Sequence, residues 1–434
     1  MKKLLTLLIT VILAVSCCFS LTACGEKPVA GLICLHGEQS TYDKNFIEAF
    51  KTACDNKGVA YTIVTDIPEG EACYTKASEL VDNGCKVIFA DSFGHEPYLI
   101  QAANENPDVQ FCHATGTGVS TQKKDGADYS TPSNYHNTFA SIYEGRYLAG
   151  YAAGLKLNEM KDKAVDNNFQ VGYVGAWTYA EVISGYTSWF LGLQEALDDG
   201  YTATMLVQFT GSWYDETAEK TAAETLINKG CVLISQHADS MGAPTACDSA
   251  NIPNVAYNGT TGKNTLVAYS KIDWVPYFEY MLDNYAAKSI KKDYVGTLSD
   301  GSVKYALGSN CVSGTAEKLA VIEKELKEGT RQVFDCSKFT VKNAKIADEY
   351  NQITVDESNH LTAYLADVND DKDAKGTSTY AADTNVIKTD KGITYFSESS
   401  FRSAPYFDLT IDGITLLNAV YGTKTDGTPD FINF

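Results

Sequence analysis

One pattern recurs along the chain and limits what it can fold into: an amphipathic helical stretch ends in glycine, and a short apolar run follows. Asn45–Lys57 ends at Gly58 before Ala60–Val64, Glu71–Asn83 ends at Gly84 before Lys86–Ala90, and Thr217–Lys229 ends at Gly230 before Cys231–Ser235. Glycine suits the position just past a helix because it enters the left-handed region without a Cβ clash. Apolar strands too short and too uniform to be half-exposed, alternating with helices, imply parallel sheets covered on both faces. Further strands are predicted at Gly31–Leu35, Val109–His113, Gln170–Val174, Met205–Phe209 and Val255–Tyr257. The fold class is therefore α/β.

The pattern falls into two blocks. The first covers 28–136 and the second opens with the helix Tyr143–Leu155, whose Gly145, Ala149, Ala152 and Ala153 form a small-residue face suited to close packing. A polar loop, Ser120–Asn134, separates the blocks and suits a crossover between lobes. Residues 366–392 are polar and weakly periodic, as in an exposed loop or short hairpin, and order is predicted to return at Asp408–Leu417.

The N-terminus carries an address. Lys2 and Lys3 precede an apolar run, Leu4–Val15, that is short for a bilayer span and ends in Leu21-Thr22-Ala23-Cys24-Gly25. Small residues before a cysteine at the end of such a run resemble a bacterial lipoprotein signal. The expectation is cleavage after residue 23, a lipid on Cys24 and a body tethered at the outer face of a membrane. The formal charge of the whole chain is −20, and removing residues 1–23 takes away two lysines and no acid. Such acidity argues against nucleic acid as a partner. No second long apolar run follows.

Of twelve cysteines, Cys17, Cys18 and Cys24 belong to the leader, which leaves an odd set of nine with no C-x-x-C pair. Those in apolar runs, such as Cys34 and Cys112, read as small buried hydrophobes, with a Cys73–Cys85 disulfide as the alternative. The six histidines do not fall at ligand spacing from cysteines, so no metal site is expected.

Enzyme signatures are missing: there is no phosphate loop, no G-x-S-x-G and no H-E-x-x-H. His237 and Asp239 with Ser235 or Ser240 lie too close along one strand end to form a hydrolytic trio. What remains is a set of strand ends, each followed by an aromatic, an amide or an acid, where open α/β sheets bind ligands. These are Tyr42 and Asp43, then Ser92 and Phe93, Trp177, Trp213, His237 and Asp239, Asn258, and Trp274. Aromatics that stack, with acids and amides that read a polar edge, suit a flat heterocycle. Each also has a plainer reading: Asp43 as a helix cap, Trp177 and Trp213 as lobe core, His237 with Asp239 as a polar pair, Ser92 with Phe93 as a turn, Trp274 as cover for the sheet.

Several blocks carry a resemblance: Asp43–Ala53, Gly84–Phe89, Asn106–Val109, Tyr143–Gly150, Val171–Gly175, Gly211–Asp215 and Gln236–Ser240. In their order and spacing the chain resembles the basic membrane protein family of ABC-transporter substrate-binding lipoproteins, which includes purine-nucleoside receptors. The resemblance implies a two-lobed, periplasmic-binding-protein-like clamshell of the class I type, each lobe a parallel sheet flanked by helices. Lobe 1 is expected to comprise 24–136 plus 254–295, and lobe 2 137–253 plus 296–434, with a C-terminal extension that contains the insertion near 366–392. The family's aromatic-Asn pair ahead of the first helix falls on Tyr42 and Asp43, and an acid in place of an amide changes which heterocycle edge is read.

The expected function is capture of a small heterocycle, a purine nucleoside or nucleobase before flavin-like compounds or sugars, for an ABC permease. The protein is expected to act as a monomer, without cofactor and without chemistry. A sensor of the same fold and a secreted nucleoside hydrolase are the rival readings. The hydrolase needs an acid or metal cluster to activate water, and the sequence shows none.

Overall fold

A computed structural model describes residues 29–119, 131–347, 352–366, 368 and 384–434. The expected signal peptide, Cys24, and most of the 120–134 loop and the 366–392 insertion lie outside the described residues.

The repeated helix–glycine–strand pattern forms as expected. Strand β1 (Ala30–Ile33) leads to helix α1 (Thr41–Lys57), whose N-cap Ser40 accepts the Asp43 N–H and whose end is turned by Gly58 at φ 64°. Then come β2 (Tyr61–Val64), α2 (Glu71–Asp82), β3 (Val87–Ala90), α3 (Glu96–Glu105), β4 (Gln110–Ala114) and β5 (Tyr135–Ala140). The chain crosses to the second lobe at α4 (Ile142–Asn158), followed by β6 (Asn168–Gly175), α5 (Ala180–Ala196), β7 (Thr202–Phe209), α6 (Glu216–Asn228), β8 (Ile234–His237), α7 (Gly242–Ala250), β9 (Asn254–Tyr257) and β10 (Leu266–Ile272). It returns through α8 (Val275–Asn284) and β11 (Asp293–Gly296), then crosses again to β12 (Val303–Leu307) and α9 (Thr315–Glu328).

The first sheet is wholly parallel, in the order β11-β5-β4-β3-β1-β2. Its side chains alternate between two helix layers. Leu32, Val87 and Phe89 face the layer that holds Phe46 and Phe50 of α1 and Phe278 of α8, whereas Ile33, Ile88 and Ala90 face α2 and α3. The second sheet runs β12-β10-β9-β8-β6-β7 and ends in a strand at Ile414–Leu416, parallel except for β12 against β10. Both sheets are buried on both faces, which is why their strands read as unbroken apolar runs.

The lobe boundaries differ from expectation. Residues 254–272 extend the second sheet as β9 and β10, not the first, and β5 completes its pairing in the first sheet to Ala140 before the crossover. Strand β8 starts three residues later than the apolar run implied.

The extension after α9 covers the outer face of lobe 2. Phe334 stacks on Phe407 at 4.6 Å, with Phe396 edge-on to Phe407 at 4.8 Å. Tyr143 of α4 donates to the Glu398 carbonyl at 3.2 Å, and the Ser403 N–H reaches Asp293 of β11 at 2.8 Å, so the extension touches both lobes. Antiparallel strands at Ile387–Asp390 and Ile393–Phe396 lie at the end of the expected insertion, and a last hairpin pairs Asn418–Thr423 with Pro429–Asn433. The nine cysteines among the described residues are free, Cys73 and Cys85 included, and all but Cys311 are buried.

Candidate functional site

The carboxyl ends of the two sheets face each other across a cavity. Lobe 1 supplies Leu35 beyond β1, Tyr42 and Asp43 from the first turn of α1, Ser92 and Phe93 beyond β3, and Thr115 beyond β4. Lobe 2 supplies Glu181 from the first turn of α5, Trp213 from the loop before α6, His237 and Asp239 at the end of β8, and Tyr257 at the end of β9. Seven of the ten residues picked out from sequence therefore meet at one cavity: Tyr42, Asp43, Ser92, Phe93, Trp213, His237 and Asp239.

The lobes touch around it. The Thr41 N–H and hydroxyl both donate to the Asp239 carbonyl, at 3.0 and 3.2 Å. The rings of Phe93 and Tyr179 stand 5.5 Å apart across the cleft, and those of His36 and Tyr214 5.3 Å. These contacts join opposite lobes, so a hinge opening breaks them together.

Three expected residues take other places. Trp274 is 2% exposed and stacks on Phe46 at 4.3 Å, within a cluster of Phe89, Tyr277 and Phe278. It is core of lobe 1, because the chain turns into α8 there and lays the indole on the sheet. Trp274→Ala is expected to destabilise the protein by about 3–5 kcal/mol through the void it leaves, read by denaturant unfolding, and a loss under 1 kcal/mol would contradict this placement. Trp177 stacks flat on Tyr179 at 5.7 Å and so backs the rim without lining the cavity. Asn258 has φ 63° and gives its N–H to the Ser270 carbonyl at 2.8 Å, one residue beyond the lining Tyr257.

Four lining residues were not picked out. Tyr257 is the last residue of β9, and the strand-end rule pointed one residue further. Glu181 sits a full turn past β6. Leu35 and Thr115 carried no chemical signal of their own.

The electrostatics are those of acids held out of water. Burial alone raises the Asp43 carboxyl, but hydrogen bonds involving His36 and Ser40 outweigh it and hold it below the usual carboxylate value. Burial pushes Glu181 up to about 7, against the pull of Arg146. Asp239 is raised well above the usual range by burial, then by Asp43, Glu219 and Glu181. Burial, then Arg146, pushes His237 well below its ordinary value, so its ring is neutral, with Nε2 3.3 Å from Glu181 Oε1. Arg146 itself is 1% exposed, gives one N–H to the Gln236 carbonyl at 2.7 Å and lies 3.6 Å over the Tyr257 ring. The wall therefore offers acids to a ligand's N–H and O–H groups and aromatic faces to its rings, and Arg146, two of whose nitrogens have no hydrogen-bond partner, stands behind Tyr257.

Two largely parallel sheets whose carboxyl ends meet at one cavity define a two-lobed solute-binding protein. The sequence pattern of the family described as ABC transporter substrate-binding protein PnrA-like matches residues 38–256, and the chain belongs to that family. A purine-binding protein of Brucella abortus is 32% identical over 185 residues, 43% of this chain and 46% of the other. A protein of Haloferax volcanii that carries the name of an ABC transporter glucose-binding protein is 29% identical over 260 residues, 58% of this chain and 60% of the other. The chain thus spans about half of these relatives' lengths. Solved solute-binding proteins of Aeropyrum pernix (TM-score 0.56, 13% identity, 71% of this chain and 93% of that one) and Conexibacter woesei (0.52, 17%, 70% and 98%) share the fold. Among the described residues no helix is long and apolar enough to cross a membrane.

Proposed function

We propose that the protein is the extracytoplasmic receptor of an ABC importer. It is anchored by lipid on Cys24, acts as a monomer, and captures a purine nucleoside or nucleobase that it delivers unchanged to a membrane permease. The observation that carries this reading is the cavity with Tyr42 and Phe93 on one lobe, Trp213 and Tyr257 on the other, and Asp43, Glu181 and Asp239 between them. Aromatics from opposing lobes sandwich a flat base, and carboxyls accept from its N–H groups or from paired ribose hydroxyls. The purine-binding relative favours the same ligand class. A sugar is the second reading, favoured by the glucose-named relative and by the same carboxyls, which also suit vicinal hydroxyls. Asp43 in the family's amide position is the point at which purine selectivity departs from the nucleoside receptors.

The test is to denature the purified protein, identify any released small molecule by mass spectrometry, and run a thermal-shift panel of nucleosides, bases, flavins and sugars. A ligand that binds only the folded form adds about 2.7 kcal/mol at a hundredfold excess over Kd. A purine that co-purifies and raises the melting temperature is the expected result. Stabilisation by a sugar alone would replace the purine assignment, and turnover of inosine or adenosine by clean protein would overturn the reading as a binder without chemistry.

A further inference from the structure

Behind the lobe 1 wall of the cavity, side chains that sequence spacing kept apart converge. Cys34 follows β1 directly, and His36 lies two residues on in the bend that leads to α1. Asp43 lies in the first turn of α1, and Asp91 follows β3. One donor atom from each of Cys34, Asp43 and Asp91 lies within 4.8 Å of the other two, and all three residues are buried. His36 Nδ1 is 3.5 Å from Asp43 Oδ2. No ligand spacing is visible along the chain because Asp91 is brought in from a neighbouring strand, 48 positions beyond Asp43.

Two features make this more than a chance meeting of acids. Asp91 is 0% exposed, and while one of its oxygens accepts the Leu35 N–H at 3.1 Å, the other, Oδ2, has no hydrogen-bond partner. Among the described residues the ion pair that Asp43 makes is with His36, and no lysine or arginine pairs with Asp91. The donors are also oriented from outside: Asp43 Oδ1 accepts the His36 N–H at 2.7 Å, as Asp91 accepts that of Leu35, so backbone amides fix both carboxyls.

We propose that Cys34, Asp43 and Asp91 bind one divalent cation of the zinc class at the wall of the ligand cleft, with His36 beside Asp43 as the neighbouring donor. A thiolate with two carboxylates selects zinc-like ions over calcium or magnesium and leaves a fourth tetrahedral position open. Leu35 and Asp43 line the cavity, so the cleft is the path of entry. Loading the ion displaces the Cys34 thiol proton and any proton held between the two acids, both released to solvent, with no change of oxidation state. Asp43 is shared with the solute cavity, so the ion and the solute meet at its carboxylate.

The test uses the full chain, stripped with chelator and titrated with Co²⁺ while the absorption spectrum is recorded. Expected are one equivalent bound, a thiolate-to-cobalt charge-transfer band, displacement by Zn²⁺, and a melting temperature raised by Zn²⁺. Cys34→Ser abolishes the band. Asp91→Asn, near-isosteric and without charge, weakens Co²⁺ binding by roughly a hundredfold or more. Circular dichroism checks that each variant folds, and Asp91→Asn carries the test if Cys34→Ser does not. Sub-stoichiometric Co²⁺ without the band, or an unchanged affinity in Asp91→Asn, overturns the site and leaves Asp43 and Asp91 sharing a proton. The nucleoside and sugar panel is repeated on the metal-free protein, so loss of the metal site and loss of the solute reading are separate results.

Discussion

Trp213→Ala weakens capture of the solute by roughly thirtyfold or more while leaving the melting temperature of the empty protein nearly unchanged. The indole lines the cavity and is only partly buried, so it contributes to the cleft more than to the lobe. Its backbone is held independently of the side chain, because the Asp239 N–H donates to the Trp213 carbonyl at 3.0 Å. Truncating an aromatic anchor at the centre of a contact costs about 2 kcal/mol or more, and each 1.4 kcal/mol is about tenfold in Kd. Isothermal titration with the solute identified by mass spectrometry measures the first quantity, and calorimetric melting the second. Unchanged affinity, or a fall in melting temperature as large as that of Trp274→Ala, would assign Trp213 to the core.

The second large effect is on stability, and its sign opposes local propensity. Alanine is a better helix former than glycine by about 1 kcal/mol, so Gly150→Ala in the middle of α4 would stabilise an isolated helix. In the fold it is expected to destabilise by about 3 kcal/mol or more. A Cβ at Gly150 meets the Trp189 carbonyl oxygen at 1.9 Å, and one at Gly192 of α5 meets the Tyr147 carbonyl oxygen at 2.1 Å. Each helix lies against the other's backbone, where no side chain can move aside. Urea unfolding of Gly150→Ala decides the matter: a variant as stable as the parent would mean that the helices stand further apart. The small-residue face read from sequence named Gly145, Ala149, Ala152 and Ala153, whereas the closest approach is made by Gly150 and Gly154 of α4 against α5. Composition showed that the helix packs closely, but which glycines touch depends on the direction of the partner.

The same division runs through the rest of the molecule. Strand β3 was legible because burial on both faces leaves only apolar residues, Val87–Ala90. Strand β5 was not, since it carries Asn137 and Thr138, both fully buried. Asn137 is satisfied by Glu96 and Tyr135, partners that no local pattern reveals. Strand β9 was seen, but its sheet was misassigned, because an apolar run says that it is covered and not by what. At the site, the strand-end rule found residues that follow a strand directly, and it missed Glu181, whose side chain reaches the cavity from a helix turn. It accepted Trp274, since an aromatic after a strand looks the same whether it meets a ligand or the core. Cys34, His36, Asp43 and Asp91 were each visible, but their meeting required the parallel register of β1 on β3, which places Ile33 beside Ala90 and so Cys34 beside Asp91.

Neither lobe is made of one continuous piece of chain. The first sheet lacks its edge until β11 is laid beside β5, and the second lacks its own until Ile414–Leu416 joins β7. A ribosome making this protein has therefore produced five of the seven strands of the second sheet before the first sheet can be finished, and the second is finished later still. Partial chains leave the sheets with open edges. A shortened chain that ends before 414 is accordingly expected to fail as a whole, with the open edge of β7 available to a neighbouring molecule.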